Sequence, residues 1–317
     1  MSVRVGIGLS TYPFDNGRAF IRFATSLERD GVDSLWQTDR LVSREPFLEA
    51  MSAMAAAAGA TEKLRFGMNA IVASFRDPLL LAKQCATIDY LSGGRLLPVF
   101  GIGAEDAVEF RATGLSAARR GARVDEMLVL MQRLWTEERV TFEGEFFRYQ
   151  DCTIAPRPVQ RTLPCWIGGH SPSAIRRTAR HATGWLAGLR TPAEVAPIIA
   201  AIQRELAIAG RTIDPDHYGA GFGFRFGSWD DPEAQRIGRA PRNVPATFDP
   251  RAYFAIGDAD AIVERCRQYT EAGVSKFVLI PIARGEADVL AQCERLIAEV
   301  IPRVEALPDP AMRMAKP

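Results

Sequence analysis

Residues 164–185 read PCWIGGHSPSAIRRTARHATGW, and this stretch sets the rhythm of the whole chain. The apolar run from Cys165 to Gly168 has the length of a buried strand, and Pro172 to His181 has the length and spacing of a helix. Gly184 to Ala187 then returns to strand character. Strand, helix, strand over so short a span is a βαβ unit, whose two strands run parallel with the helix packed on one face of the sheet.

The same alternation extends in both directions. Upstream, strands are predicted at Val3 to Leu9, Ser34 to Gln37, Leu64 to Val72 and Arg95 to Gly101. Between them lie an amphipathic helix from Gly17 to Arg29, with Phe20, Phe23, Ala24 and Leu27 on one stripe, and helices from Pro46 to about Ala58 and from Pro78 to about Leu91. Gly31 and Gly93-Gly94 are placed to end two of these helices. Residues 106–114 and 121–136 are predicted helical. Downstream come a helix from Thr191 to Ala209, with Thr191 as N-cap and Pro192 beside it, a strand from Tyr218 to Phe226, a helix from Asp258 to Ala272, a strand from Lys276 to Ile282 and a helix from about Glu286 to Val300. Eight βα units close naturally into a (β/α)8 TIM barrel of α/β class, with an open doubly wound sheet as the competing arrangement. No break in composition divides residues 1–317, so one domain is expected.

Two segments depart from the alternation. Val140 to Asp151 alternates strongly around Glu143-Gly144 and reads as a β-hairpin decoration. Residues 227–257, after the seventh barrel strand, are polar, carry four prolines and are too long for an ordinary βα loop. At the C-terminal mouth of a barrel such a segment is either a lid or a tolerated surface insertion.

Bulk composition excludes several classes. Lys plus Arg is 39 against Asp plus Glu 38, so no nucleic-acid footprint is expected. The first residues, MSVRVGIGLS, lack a secretory signal pattern, and no apolar run approaches the length of a membrane span, so a cytoplasmic location without membrane association is expected. Cys85, Cys152, Cys165, Cys266 and Cys293 show neither disulfide nor metal-ligand spacing and are read as buried thiols. No metal, acyl-enzyme or P-loop motif is present.

Candidate site residues follow the strand ends, because a barrel builds its site there. After the second strand, Asp39-Arg40 can bind polar ring atoms or fix an anion, or can serve as a structural ion pair. In the third strand Gly67 and Asn69 interrupt a β-branched run, as a bulge or a close backbone approach would require. Gly101-Ile102-Gly103-Ala104-Glu105 ends the fourth strand without the third glycine of a dinucleotide fingerprint, leaving bare backbone beside a flat ring or a tight turn. Ile167-Gly168-Gly169-His170-Ser171-Pro172-Ser173 places small residues before a helix start, a ready phosphate cradle in which Ser171 and Ser173 add hydroxyls and His170 binds or caps. His181 and His217 read as structural.

These stretches, taken together, resemble the bacterial luciferase-like superfamily of flavin- and deazaflavin-dependent oxidoreductases. The resemblance runs from the first strand to Pro302 through SLWQTDRL (34–41), RDPLLLAKQCATIDYLSGGRL (76–96), FGIG (100–103), RGARVDEMLVLMQRLW (120–135), VTFEGEFF (140–147), residues 164–185 and AGVSKFVL (272–279). It implies a cofactor ring at the C-terminal mouth. By this likeness the Asn69–Ala70 step matches a non-prolyl cis peptide behind the ring, Ile102, Gly103 and Ala104 the turn beside it, Asp39 a residue near its polar edge, and Ile167 to His170 with Ser171 and Ser173 the phosphate loop. Many relatives carry Asp-His where this chain has Asp39-Arg40. Arginine stays protonated and cannot act as a general base, but it can anchor an anion or stabilise developing negative charge. Arg40 and Asp39 are therefore the catalytic candidates.

The resemblance implies a monooxygenase that takes reduced FMN from a partner reductase and acts on a small organic substrate as a homodimer. Hydride transfer with the deazaflavin F420 is the alternative, with Arg190 or Arg225 meeting its longer anionic tail. A flavin-binding barrel without catalysis is a third reading. Tyr12, Phe14, Trp36, Phe75, Phe222, Phe224 and Trp229 suggest a partly apolar pocket, or core.

Overall fold

The computed structural model describes residues 3–237, 248–308 and 310. Eleven strands are found among them: β1 (Arg4–Leu9), β2 (Ser34–Gln37), β3 (Arg65–Val72), β4 (Leu96–Gly101), β5 (Val140–Glu143), β6 (Arg148–Cys152), β7 (Trp166–Gly168), β8 (Gly184–Ala187), β9 (Tyr218–Phe226), β10 (Ala255–Gly257) and β11 (Lys276–Pro281). The order β9-β11-β1-β2-β3-β4-β7-β8 is parallel throughout and closes where Trp185, Leu186 and Ala187 pair with Tyr218, Gly219 and Ala220. This is the eight-stranded barrel expected, with helices outside it. β5 and β6 form the antiparallel hairpin.

Two different cores hold it. Between strands and helices lie side chains such as Ile7, Phe23, Leu35, Phe66, Met127 and Phe277. Inside the barrel, Trp36, Val99, Trp166, Leu186 and Val278 pack together. Two indoles fill this narrow interior because glycines face them: a methyl at Gly67 would stand 2.1 Å from the Leu97 carbonyl oxygen and 2.7 Å from the Trp36 ring. Interiors packed this densely tolerate no added methyl without strain. Gly67→Ala is accordingly expected to cost about 1–3 kcal/mol, read from a lowered urea midpoint. An unchanged midpoint would show that the Leu97 backbone and the Trp36 side chain both give way at little cost.

Three local readings need correction. The helix predicted from Pro46 runs from Ala50 to Ala60, because the Pro46 carbonyl accepts from Tyr12 N–H and Glu49 caps the helix by accepting from Ser52 N–H at 2.8 Å. The last helix turns into a π segment, Leu296–Val300, and resumes to Glu305. The segment after β9 carries structure: a helix from Pro232 to Ile237, a turn of helix from Pro250 to Tyr253, and β10, which pairs with Phe224 to Phe226 and extends the sheet. The middle of the expected lid, residues 238–247, lies outside the described residues. The five cysteines are free, four of them buried. Among the described residues no helix is long and apolar enough to cross a membrane.

Candidate functional site

A cavity of about 940 Å³ opens at the C-terminal mouth of the barrel. Its wall comes from the ends of β1, β2, β3, β8, β9 and β11: Tyr12, Thr38, Asn69, Leu189, Phe222 and Ile280 are representative. Glu233, Arg236, Ile237 and Phe254 add to it from the segment after β9. That segment therefore walls the site, which a surface insertion would not. Of the seven aromatics considered from sequence, Tyr12 and Phe222 line this cavity, while Phe14, Trp36, Phe75 and Phe224 are buried in packing.

The floor beneath Asn69 is irregular. β3 loses register with β4 between Met68 and Ile71, and the Asn69–Ala70 peptide is cis. Asn69 itself lines the cavity and faces Gly221 across the mouth, where an added methyl would lie 3.3 Å from its Nδ2.

Asp39 supports this floor from below. It does not pair with Arg40. Its Oδ2 accepts from Val72 N–H at 2.8 Å and from Arg76 at 2.7 Å, and its Oδ1 accepts from the other Arg76 nitrogen at 2.8 Å. Arg76 also donates to Glu49 at 3.1 Å, and the Asp39 and Arg76 side chains are 1% and 10% exposed. A two-pronged pair so buried is a structural brace joining β2 to the residue that closes β3. Arg40 instead stands 54% exposed at the rim, 3.7 Å from buried Glu109.

The end of β4 is held by its carbonyls. Ile102 accepts from Ser74 Oγ at 2.8 Å and Gly103 accepts from Arg120 at 3.2 Å, which leaves half-buried Gly103 and Ala104 as bare backbone at the rim. Gly103 has φ +72°. Glu105 points to solvent and pairs with Arg120 at 3.3 Å.

The loop after β7 sits beside Ala187–Leu189 of the cavity wall, since Gly168 pairs with Leu186. Gly169 takes φ +111°, and a side chain there would meet the Ala174 methyl at 3.0 Å. Two buried aromatics anchor this loop and the neighbouring loop after β8, one each. Trp185 Nε1 donates to the Gly169 carbonyl at 2.8 Å, and the Tyr269 hydroxyl donates to the Arg190 carbonyl. Ser171 caps the helix Pro172–His181 by accepting from Ala174 N–H at 3.2 Å. Ser173 is exposed, and the Ile167 side chain belongs to the core, so only its backbone reaches the loop. The Arg190 guanidinium lies 3.2 Å from His170 Nδ1. Burial, then Arg190, holds the His170 imidazole below its ordinary range, so Arg190, reaching across from the loop after β8, is the permanent cation beside it. Arg225, the other cation considered, is neutralised by Asp231 at 3.2 Å and Asp288 at 3.0 Å.

Sequence reasoning missed Arg76, Glu109 and Phe254. Arg76 carried a signal, since it directly follows the residues after β3. Glu109 and Phe254 had none, because their places depend on the closed barrel.

With this geometry in view, comparison with known proteins is specific. The model of the family described as luciferase-like monooxygenase matches residues 1–228. An uncharacterized protein of Mycobacterium tuberculosis is 34% identical over 53% of this chain and 57% of its own, so the chain spans little more than half of that relative's length. The F420-dependent glucose-6-phosphate dehydrogenase of Intrasporangium calvum is 27% identical over 92% of this chain and 96% of its own. In structure, the monooxygenase RslO1 from Streptomyces bottropensis superposes with TM-score 0.80 at 21% identity, over 94% of this chain and 99% of its own, a likeness of fold.

Proposed function

The chain belongs to the luciferase-like monooxygenase family, and from that premise we propose that it is a two-component enzyme that binds reduced FMN from a partner reductase and oxygenates a small, partly apolar organic substrate. The observation that carries this reading is the anion cradle beside the cavity: bare backbone at Gly168 and Gly169, a capped helix start, and, among the described residues, the permanent cation Arg190. That charge suits a single terminal phosphate. The longer anionic tail of F420 asks for more cations; Arg225 is already committed to two carboxylates and Arg236 of the cavity wall to Glu233, so among the described residues of that wall such a tail would turn to Arg284.

In this reading the backbone from Gly168 to Ser171, with Arg190, holds the phosphate. The Asn69–Ala70 step supports the ring, with Gly103 and Ala104 beside its edge. Reduced flavin, when bound, supplies electrons and activates molecular oxygen. The chain's own part is binding, orientation and exclusion of water by the wall of Tyr12, Phe222 and Phe254. Arg40, always charged, stabilises negative charge developing at the mouth and leaves proton abstraction to other groups. Residues 1–317 act as one catalytic unit. A second copy is placed against the helix Pro78–Ser92, where Leu80, Tyr90 and Leu91 remain more than half exposed, and sedimentation of the purified protein checks this.

Titration with reduced FMN, oxidised FMN and F420, followed by fluorescence or heat, tests the reading. Reduced FMN is expected to bind tightest. Tight F420 binding with weak FMN binding would transfer the protein to hydride chemistry, and binding of neither would sink both. Arg190→Ala is expected to weaken FMN binding about tenfold or more, and His170→Asn by less than about threefold, because a charge-assisted contact is worth far more than one from a neutral ring.

A further inference from the structure

Two of the carboxylate–guanidinium pairs near the mouth differ in how they are closed. At Asp39 both oxygens are filled, at 2.7 and 2.8 Å, by Arg76 and Val72 N–H. At Glu109, in the short helix Val108–Thr113 after β4, the side chain is 2% exposed and Oε2 has no hydrogen-bond partner among the described residues. Its ion-pair partner among the described residues is Arg40, at 3.7 Å from Oε1, beyond hydrogen-bond range. A carboxylate taken out of water with an oxygen unfilled is costly, and the Arg40 contact at 3.7 Å offsets that cost less than the two-pronged contact at Asp39 does.

We propose that Glu109 is a positioning residue for Arg40: its free oxygen receives the guanidinium in a two-pronged contact when the cofactor binds, and so aims the remaining Arg40 N–H groups toward negative charge on the reduced flavin at the mouth. The inference rests on the flavin reading. It explains why the rim arginine is exposed and loosely held while its partner is buried. Two N–H groups of a guanidinium can lie on Glu109 while others stay free, because the fork carries five donors in one plane. A lysine has no such division of labour.

The test is a double-substitution cycle on FMN affinity, measured by fluorescence quenching, with thermal unfolding of each apoprotein recorded alongside. Arg40→Ala and Glu109→Gln are each expected to weaken FMN binding about tenfold, and the double variant no more than Arg40→Ala alone, since residues acting as a unit are not additive. Glu109→Asp, which keeps the charge, is expected to recover part of the loss, and Arg40→Lys is expected to recover none. Additive losses, or a Glu109→Gln protein that melts early yet binds FMN as the parent does, would overturn the proposal and leave Glu109 structural. A parent protein that binds no flavin would overturn the functional reading and this inference with it.

Discussion

Asp39→Ala is expected to destabilise the apoprotein by about 3–5 kcal/mol, the usual result of removing one member of a buried pair. The loss has two sources. Arg76, 10% exposed, would keep Glu49 but lose both of its Asp39 contacts, and Val72 N–H would lose its acceptor. Val72 ends β3 just past the Asn69–Ala70 step, so the floor of the cavity should loosen as well and FMN affinity should fall without loss of any direct contact. Denaturant unfolding without cofactor is the decisive measurement. A midpoint equal to the parent's, with FMN binding abolished, would instead place Asp39 at the ring edge, the role its motif suggested. The double variant Asp39→Leu with Arg76→Met is expected to recover stability but not binding, because apolar groups of similar size replace buried ion pairs at little cost.

The second large effect lies at the other end of the barrel. Lys276 and Asp33 meet in an ion pair whose side chains are 7% and 5% exposed. Asp33 accepts from Ser34 Oγ at 2.8 Å, and that hydroxyl accepts from Trp36 Nε1 at 2.8 Å. The network thus runs from the start of β11 into the indole that fills the interior. Lys276→Met is expected to cost about 3–5 kcal/mol by stranding the Asp33 carboxylate, with half-exposed Arg65, 3.7 Å away, offsetting a little. FMN affinity should not change, since stability resides at the N-terminal face of a barrel and function at the C-terminal face. Equal losses in stability and in flavin binding would refute that separation. Burial lowers the pKa of the Lys276 ammonium, the Arg4 charge adds to the shift, and the Glu305 carboxylate opposes it.

Much of this molecule is local and so was legible in the residue order. Strand and helix periods depend on near neighbours, and so do the caps: Thr191 with Glu194 forms a full capping box, as a Thr followed three residues later by Glu invites. The Ser171 cap of the helix Pro172–His181 is local for the same reason; the anion cradle at Gly168 to Ser171 is a proposal that rests on it. β10, three residues long, offers too few positions for a period to appear.

The sequence by itself determined the alternation of elements, the barrel that eight such units close, the order in which strand ends reach the mouth, and the family. The tertiary structure alone decided which charges meet. Asp39 sits next to Arg40 in the chain yet pairs with Arg76, 37 residues away, and Arg40 faces Glu109. Both residues lie just past β2, where adjacency in the chain does not make side chains partners, and closure of the sheet brings distant ones together.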